Sequence, residues 1–311
     1  MGDKMINKMG ANTKVPPIKC QGIKTKLVRF IIDSISWSEK GRWIEPFVGS
    51  GVVVLNVAPH RALLTDINVH VIRFYNDIAS GLVSPSGVRG FLEKEGHILS
   101  QVGEPYYYEV RIRFNSHPTS HVFLFLNRCD FNGVIRFNSK GQFNVPFGKK
   151  PDRFRPAYIT KIVNQVAYIT SLIRNNEWTF READWRQTLA QAHKEDFVYA
   201  DPPYIGRHTD YYNKWTESDA LELFDDLKSL PCGFALSAWS QNRYRINPHL
   251  PSDNSVVIKT FNHFYHVGAT ESLRNPMVEA LVIKRGFEVI KTGEDKPISL
   301  ETSSKQDSHS N

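Results

Sequence analysis

"RWIEPFVGSGVVVLNVAPHRALLTDIN", Arg42 to Asn68, holds the order of elements that decides the fold. Arg42 to Phe47 reads as a strand, Gly49 and Gly51 follow in a turn, and the apolar stretch Val52 to Ala58 opens a helix. Arg61 to Asn68 is a second short strand ending in an acid, Asp66. Strand, glycine turn, helix, strand and acid begin a parallel α/β sheet with a nucleotide-type pocket at the carboxyl ends of its strands. Glycines at such a turn let the backbone approach a ligand closely, with a helix N-terminus behind them. A carboxylate at Asp66 can accept both hydroxyls of a ribose, which suits an adenosine-containing cofactor. The other reading of Asp66 is a turn cap in Asp-Ile-Asn.

Outward from this core, "KTKLVRFIIDSI" places Leu27, Phe30, Ile31 and Ile35 at helical spacing, and residues 1–17 before it read as a flexible arm. Downstream, the alternation breaks. Residues 76–156 are aromatic, basic and turn-rich, and Asn138-Ser139-Lys140-Gly141 between two phenylalanine-bearing segments is a hairpin signal. This stretch reads as an inserted subdomain. The sheet domain is therefore expected over 18–75 and 157–285, with "WTFREADW", "DFVYADPPY", "GFALSAW", "SVVIKTFNHFYHV" and "EALVIK" as its further strands. Thr216 and Asp219 form a capping-box pattern ahead of a helix. Residues 286–311 are polar and expected to be disordered.

The bulk numbers allow one large core or a core plus an insert: 311 residues, 41% hydrophobic and 23% charged. No apolar run is long enough to span a bilayer, and the first residues lack the apolar stretch of a signal peptide. Cys20, Cys129 and Cys232 are widely separated, so neither a disulfide framework nor a zinc site is indicated, and a reducing cytoplasm is expected. The net charge of +7 is concentrated: Met1 to Arg29 carry seven Lys/Arg against one Asp, and Gln101 to Thr160 nine against four Asp/Glu. Basic charge in two blocks points to a polyanion partner.

"YADPPY" raises a second chemical question, because a buried-looking strand ends there on an acid and a stiff turn. Pro202 and Pro203 remove two N–H donors and leave carbonyls to accept, Asp201 adds an acceptor-only carboxylate, and Tyr204 offers a flat face. Two acceptors and a stacking ring suit a planar substrate bearing an NH2 group, such as an amide or an adenine N6 amine. His263 and His266 have a spacing that could suggest a metal. They lie in an apolar strand without a carboxylate nearby, so a structural role is expected and no metal is assigned. "YYYEV" can stack bases or pack the insert, and "SLRNPMVEAL" flanks the cleft without an assigned chemistry.

In their order along the chain, "EPFVGSG", "TDIN", "FLNRCDFNGVIRFNSKGQFNVPFGKK" and "YADPPY" resemble the Dam-type DNA adenine-N6 methyltransferases, the class alpha or D12 enzymes. The resemblance runs from about Val15 to Ile283. "PPIKCQGIKTKL", "DPPYIGRHTDYYNKW" and "HFYHVGATESLRNPMVEAL" are similar to modification enzymes of the EcoRV type, which act at GATATC. The resemblance implies a Rossmann-like S-adenosylmethionine-dependent methyltransferase sheet with an inserted helical and hairpin target-recognition subdomain. It implies methyl transfer from S-adenosylmethionine to adenine N6 in duplex DNA by base flipping. It further implies a restriction–modification role, with a cognate endonuclease acting on the same site outside any complex, in a bacterial, archaeal or phage setting.

Carried over by residue, the resemblance implies that Asp66 holds the cofactor ribose, Asp184 its adenine, and Phe47, Gly49 and Gly51 the turn beneath it. Cys20 and Lys24 lie where the family reads W-A-G-G-K; Cys20-Gln21-Gly22-Ile23-Lys24 lacks the tryptophan and one glycine. Asp201 and the Pro202 carbonyl would accept from the target amine on the turn stiffened by Pro203, and Tyr204 would stack on the base. Phe131 would wedge beside the target with Asn132, Arg136 would read a guanine, and Lys19 an outer guanine. Lys140, Lys149, Lys150, Arg153 and Arg155 are expected at phosphates. Three alternatives stay open: another GAT-containing site, an RNA substrate, and a catalytically inactive sequence-specific DNA-binding protein.

Overall fold

The computed structural model describes residues 12–22, 24–204, 215–242, 247, 250, 253–264 and 276–290. In chain order the elements are α1 (Val28–Ser34), β1 (Trp43–Glu45), α2 (Val54–Val57), β2 (Arg61–Asp66), α3 (Val69–Ser80), α4 (Pro85–Val102), α5 (Glu104–Ser116) and α6 (Ser120–Cys129). There follow α7 (Pro156–Asn175), β3 (Glu177–Glu182), α8 (Trp185–Leu189), β4 (Phe197–Ala200), α9 (Glu217–Ser229), β5 (Gly233–Asn242), β6 (Val256–Phe264) and β7 (Pro276–Lys284).

The seven strands form one sheet in the order β3-β2-β1-β4-β5-β7-β6. The pairs β3–β2, β2–β1, β1–β4 and β4–β5 are parallel, while β7 runs antiparallel between β5 and β6. This is the α/β, Rossmann-like order expected, with a last strand wedged in against the general direction. β4 is buried along its whole length, as a central parallel strand must be. Trp43 of β1 stacks on Phe197 and Tyr199 of β4, with centroids 5.4 and 6.0 Å apart, and fixes the strands at the centre. Strand order reverses between β1 and β4, so a crevice opens at their carboxyl ends. Glu45 and Ala200 are the last residues of those two strands, and Asp201 follows at once.

Helix ends follow local chemistry. Asn68 caps α3 by accepting from His70 and Val71 N–H, and Gly81, with φ +83°, terminates that helix. Thr216 and Asp219 form the expected capping box of α9. Between β2 and β3 the chain builds α3 to α7 and an irregular stretch from Asp130 to Arg155. The stretch is closed by single bridges, Asp130 to Phe147 and Phe137 to Phe143. The Asn138–Gly141 turn is present: Asn138 N–H donates to Gln142 O at 2.9 Å. Residues 75 and 76 both lie inside α3, and one apolar core runs from α1 through α3, the helices α4 to α7 and the sheet. Among the described residues, no helix is long and apolar enough to cross a membrane. Residues 1–11 of the expected arm and 291–311 of the expected tail lie outside the described residues.

Candidate active site

The carboxyl ends of β1, β2 and β4 surround one pocket, and Cys20, Gln21, Gly22 and Lys24 close its side. Gly49, with φ +47°, turns the backbone so that its N–H donates to Asp66 Oδ2 at 2.9 Å; Asn68 N–H donates to Oδ1 at 2.9 Å. Both oxygens of Asp66 are thus held from behind while the carboxylate faces the pocket. Burial pushes its carboxyl above the usual range, and these N–H groups oppose the shift. Gly51, with φ +67°, sits beneath the turn. A Cβ there would meet the Tyr75 hydroxyl at 3.1 Å, and that hydroxyl donates to Ser50 O at 2.5 Å.

At the end of β4, Asp201 accepts from the Lys24 ammonium at 2.8 Å. Lys24 is 4% exposed, whereas Asp201 keeps 24% of its side chain open. The same ammonium lies 4.6 Å from the centroid of the Tyr204 ring and donates to Gly22 O at 3.2 Å. Burial pushes the Asp201 carboxyl up, Lys24 pulls it down, and Glu279 adds to the rise. Tyr204 donates its hydroxyl to Glu279 Oε2 at 2.7 Å. Pro202 and Pro203 complete this wall.

Asp184 is the N-cap of α8, its Oδ1 accepting from Arg186 N–H at 2.9 Å. Arg186 also donates to Asp219 at 3.1 Å and to both Glu222 oxygens at 2.5 Å, and lies 4.3 Å from the Trp185 ring. Phe47 meets Trp215 edge-on at 5.6 Å, and Trp185 lies 6.4 Å from Trp215. These rings make the pocket end near Asp184 flat-sided. Cys20 lines the pocket beside Gly49, its thiol pushed up by burial. Phe47, Gly49, Asp66, Asp184, Cys20, Lys24 and Asp201 to Tyr204 therefore share one pocket; Gly51 supports it from below.

Sequence reasoning assigned nothing to Glu45, Arg186, Trp185, Trp215 or Glu279. Glu45 accepts from Trp43 Nε1 at 2.8 Å; burial, opposed by that bond and reinforced by Asp201, pushes its carboxyl up to about 8. An acid opening the "EPFVGSG" motif was a legible signal for Glu45. No local pattern announces the others.

The remaining candidates gather elsewhere, on the stretch after α6. Asn127 joins Lys19 to this stretch: its Oδ1 accepts from Lys19 N–H at 2.7 Å, and its Nδ2 donates to Lys19 O at 3.0 Å and Gly133 O at 3.4 Å. Burial, with Arg153 and Arg128, pushes the Lys19 ammonium down to about 8 against the pull of Asp130. Phe131 is 55% exposed, so it is no part of the insert's core. Asn132 and Lys149 adopt positive φ, and Lys140 is exposed in the hairpin turn. Arg136 donates from Nε to Asn144 Oδ1 at 2.8 Å and from Nη2 to Asn144 O at 3.1 Å, which sets the direction of its guanidinium. Lys150 borders a hollow with Arg153, Arg155 and Lys161. Tyr106 and Tyr107 of "YYYEV" are buried; Tyr107 donates to Val145 O at 2.8 Å, so they pack the insert. The side chain of His263, all of His266 and Ser272 to Asn275 lie outside the described residues.

Residues 21–266 match the family described as D12 class N6 adenine-specific DNA methyltransferase. The chain is 34% identical over 196 residues to a protein named DNA adenine methylase from Haemophilus influenzae, an alignment covering 61% of this chain and 63% of that one. It is 30% identical over 239 residues to the Retron Ec67 DNA adenine methylase of Escherichia coli, covering 72% and 73% of the two chains. Against the Type II methyltransferase M1.LlaDCHI of Lactococcus lactis subsp. cremoris it is 28% identical over 202 residues, covering 60% and 67%. The chain spans a little under two thirds of the Haemophilus relative. Because residues 21–266 take in the glycine turn, Asp66, the stretch after α6 and Asp201 to Tyr204 together, this chain belongs to the D12 class N6 adenine-specific DNA methyltransferase family.

Proposed function

We propose that this chain transfers the methyl group of S-adenosylmethionine to adenine N6 in duplex DNA, at a specific sequence. The observation that carries the reading is the place of the Lys24 nitrogen, 2.8 Å from Asp201 and 4.6 Å from the Tyr204 ring. A hydrogen-bearing nitrogen is held there between a carboxylate and an aromatic face, as an adenine amine would be.

The pocket chemistry fits the cofactor. An ionised carboxylate keeps acceptor capacity on both oxygens after Gly49 and Asn68 N–H have bonded, so Asp66 can take two ribose hydroxyls. Asp184 suits the exocyclic amine of the cofactor adenine, and Phe47, Trp185 and Trp215 suit its faces. Gly49 and Gly51 let the backbone approach, and Cys20 and Lys24 close the wall nearest Asp201. S-adenosylmethionine, when bound, supplies a methyl group already attached to an excellent leaving group.

The residues of the chain do the rest. An adenine amine is a poor nucleophile because its lone pair is delocalised into the ring. Hydrogen bonds from its protons to Asp201 and the Pro202 carbonyl favour a pyramidal nitrogen with a localised lone pair, and stabilise the charge that develops. Pro203 stiffens the turn, and Tyr204 holds the base by stacking. A base inside a duplex cannot reach this pocket, so it is flipped out, at a cost of a few kcal/mol, and the exposed Phe131 fills the gap beside Asn132. Arg136 reads a guanine through O6 and N7, Lys19 reads an outer guanine, and Lys140, Lys149 and Lys150 hold phosphates.

The site proposed first is GATATC, the role self-protection in a restriction–modification system of the cytoplasm, and the endonuclease a separate protein sharing that site. The segments "DPPYIGRHTDYYNKW" and "NPMVEAL" and the likeness to a Type II methyltransferase support this finer reading.

Base-resolved mapping of N6-methyladenine in DNA from cells expressing the chain tests both levels. Methylation confined to GATATC, and absent with Asp201→Ala, is the expected result. Methylation at another motif leaves the enzyme and removes GATATC; none, from well-expressed protein, overturns the activity. In the same assay Arg136→Ala should lose roughly 5- to 150-fold of its discrimination at one guanine, the worth of a bidentate contact.

The pH dependence has a definite sign. Asp201 must be ionised to accept from the amine, and its carboxyl is raised by burial, so the rate falls on acidification at a pH above the ordinary Asp value of about 3.9. Lys24 opposes that rise. In Lys24→Ala the acid limb of the rate profile should therefore move to higher pH, measurable by single-turnover transfer between pH 5 and 9.

A further inference from the structure

"NPMVEAL", Asn275 to Leu281, carries a carboxylate that the proposed chemistry does not use. Glu279 lies in β7 opposite Trp239 of β5 and Phe261 of β6, and is 2% exposed. Two and four residues on, Leu281 and Ile283 take the same face and belong to the main apolar core. Glu279 is the polar break in that stripe. A buried carboxylate is costly unless it is hydrogen-bonded, and the Tyr204 hydroxyl bonds it at 2.7 Å.

We infer that Glu279 is a positioning residue for methyl transfer, acting through Tyr204. The inference rests on the reading of Asp201 to Tyr204 as the acceptor pocket. Two effects run along the one hydrogen bond. An anchored hydroxyl fixes the plane of the Tyr204 ring, against which the target base is held. A carboxylate on the phenol also makes the ring more electron-rich, which strengthens its attraction for a cation on its face. The Lys24 ammonium occupies that face now, 4.6 Å from the centroid. In methyl transfer the acceptor nitrogen becomes cationic before it gives up a proton, so the gain falls on the transition state more than on substrate binding.

Glu279 carries an opposing effect as well, since its charge adds to the rise in the Asp201 carboxyl. That separates the role from simple support of the fold. Glu279→Gln removes the charge and keeps an acceptor oxygen for Tyr204. Its transfer rate at neutral pH should fall less than that of Glu279→Ala, and the acid limb of its profile should move to lower pH.

The experiment is single-turnover transfer to a cognate duplex by Glu279→Gln, Glu279→Ala, Tyr204→Phe and the double variant Tyr204→Phe/Glu279→Ala, beside Asp201→Ala. Glu279→Ala is expected to lose about 10- to 100-fold in rate, the worth of a hydrogen bond to a charged group, with cofactor and DNA affinities nearly unchanged. In the Tyr204→Phe background, removing Glu279 should cost nothing further. Wild-type rates for both Glu279 variants, or a full additional loss in the double variant, overturn the inference. If Glu279→Ala does not fold, Glu279→Gln decides: an unmoved acid limb with an unchanged rate overturns it equally. Asp201→Ala keeps the two levels apart. Transfer surviving there defeats the acceptor-pocket reading itself, whereas transfer lost there and intact in the Glu279 variants defeats only the role of Glu279.

Discussion

Asp201→Asn is expected to lower the rate of methyl transfer by about a thousandfold or more while leaving cofactor affinity near its starting value. The size follows from what the side chain does. One preorganised group aimed at developing charge contributes roughly 10²- to 10³-fold in a water-poor site. Asp201 also supplies a full negative charge, which an amide cannot. The choice of Asn matters, because Lys24 is nearly buried and bonds Asp201 at 2.8 Å. In Asp201→Ala the ammonium loses its carboxylate and keeps only the Gly22 carbonyl and the Tyr204 face among the described residues; breaking a buried pair costs on the order of 3–5 kcal/mol, less here because Asp201 is partly open. Asn fills the same space and offers Lys24 a carbonyl oxygen. Thermal unfolding should therefore separate the variants, Asp201→Ala melting well below Asp201→Asn, while both lose the chemistry in single-turnover assays. A fully active Asp201→Asn would remove the carboxylate from the mechanism.

The second large effect is expected at Asp66, and it falls on binding instead of rate. Two ribose hydroxyls on one carboxylate are charge-assisted bonds worth about 1.5–3 kcal/mol each. Losing both in Asp66→Ala weakens S-adenosylmethionine by at least about 100-fold, measured by calorimetric titration. The rate at saturating cofactor should return to within a few fold of the starting value, because Asp66 contacts no reacting atom in this scheme. Stability falls as well. Gly49 and Asn68 N–H donate to the two oxygens at 2.9 Å, and each donor left unsatisfied costs about 1–3 kcal/mol. Asp66→Asn should be intermediate on both counts, since one oxygen remains and the NH2 opposes a backbone donor. Unchanged cofactor affinity in either variant would move the ribose elsewhere in the pocket.

These two acids were visible in the chain because each ends a strand at a turn of recognisable composition. The glycine turn and the apolar runs around Arg42 to Asn68 and Phe197 to Ala200 are local signals, and local signals decide strand ends. The capping box of α9 and the turn at Asn138 to Gly141 are of the same kind. What could not be read are the partners that meet across the fold. Glu279 stands 75 residues from the hydroxyl it accepts. Arg186 joins Asp184 to Asp219 and Glu222, 36 residues away at the far end. Lys19 is bonded through its backbone to Asn127, 108 residues away, and its side chain packs on Gly133.

The sequence by itself determined the sheet class and the two acids at strand ends, Asp66 and Asp201, because strand period and turn chemistry act over a few residues, while the strand order that opens the crevice between β1 and β4 came from the fold. Tertiary structure alone decided which nitrogen sits on Asp201, which carboxylate holds Tyr204, and that Phe131 is exposed while Tyr107 is buried. β7 reaches its place by running antiparallel between β5 and β6, and that insertion brings Glu279 to Tyr204 at the end of the Asp201–Tyr204 turn. A buried charge is tolerable only beside its partner, and the partner is set by where the strands pack.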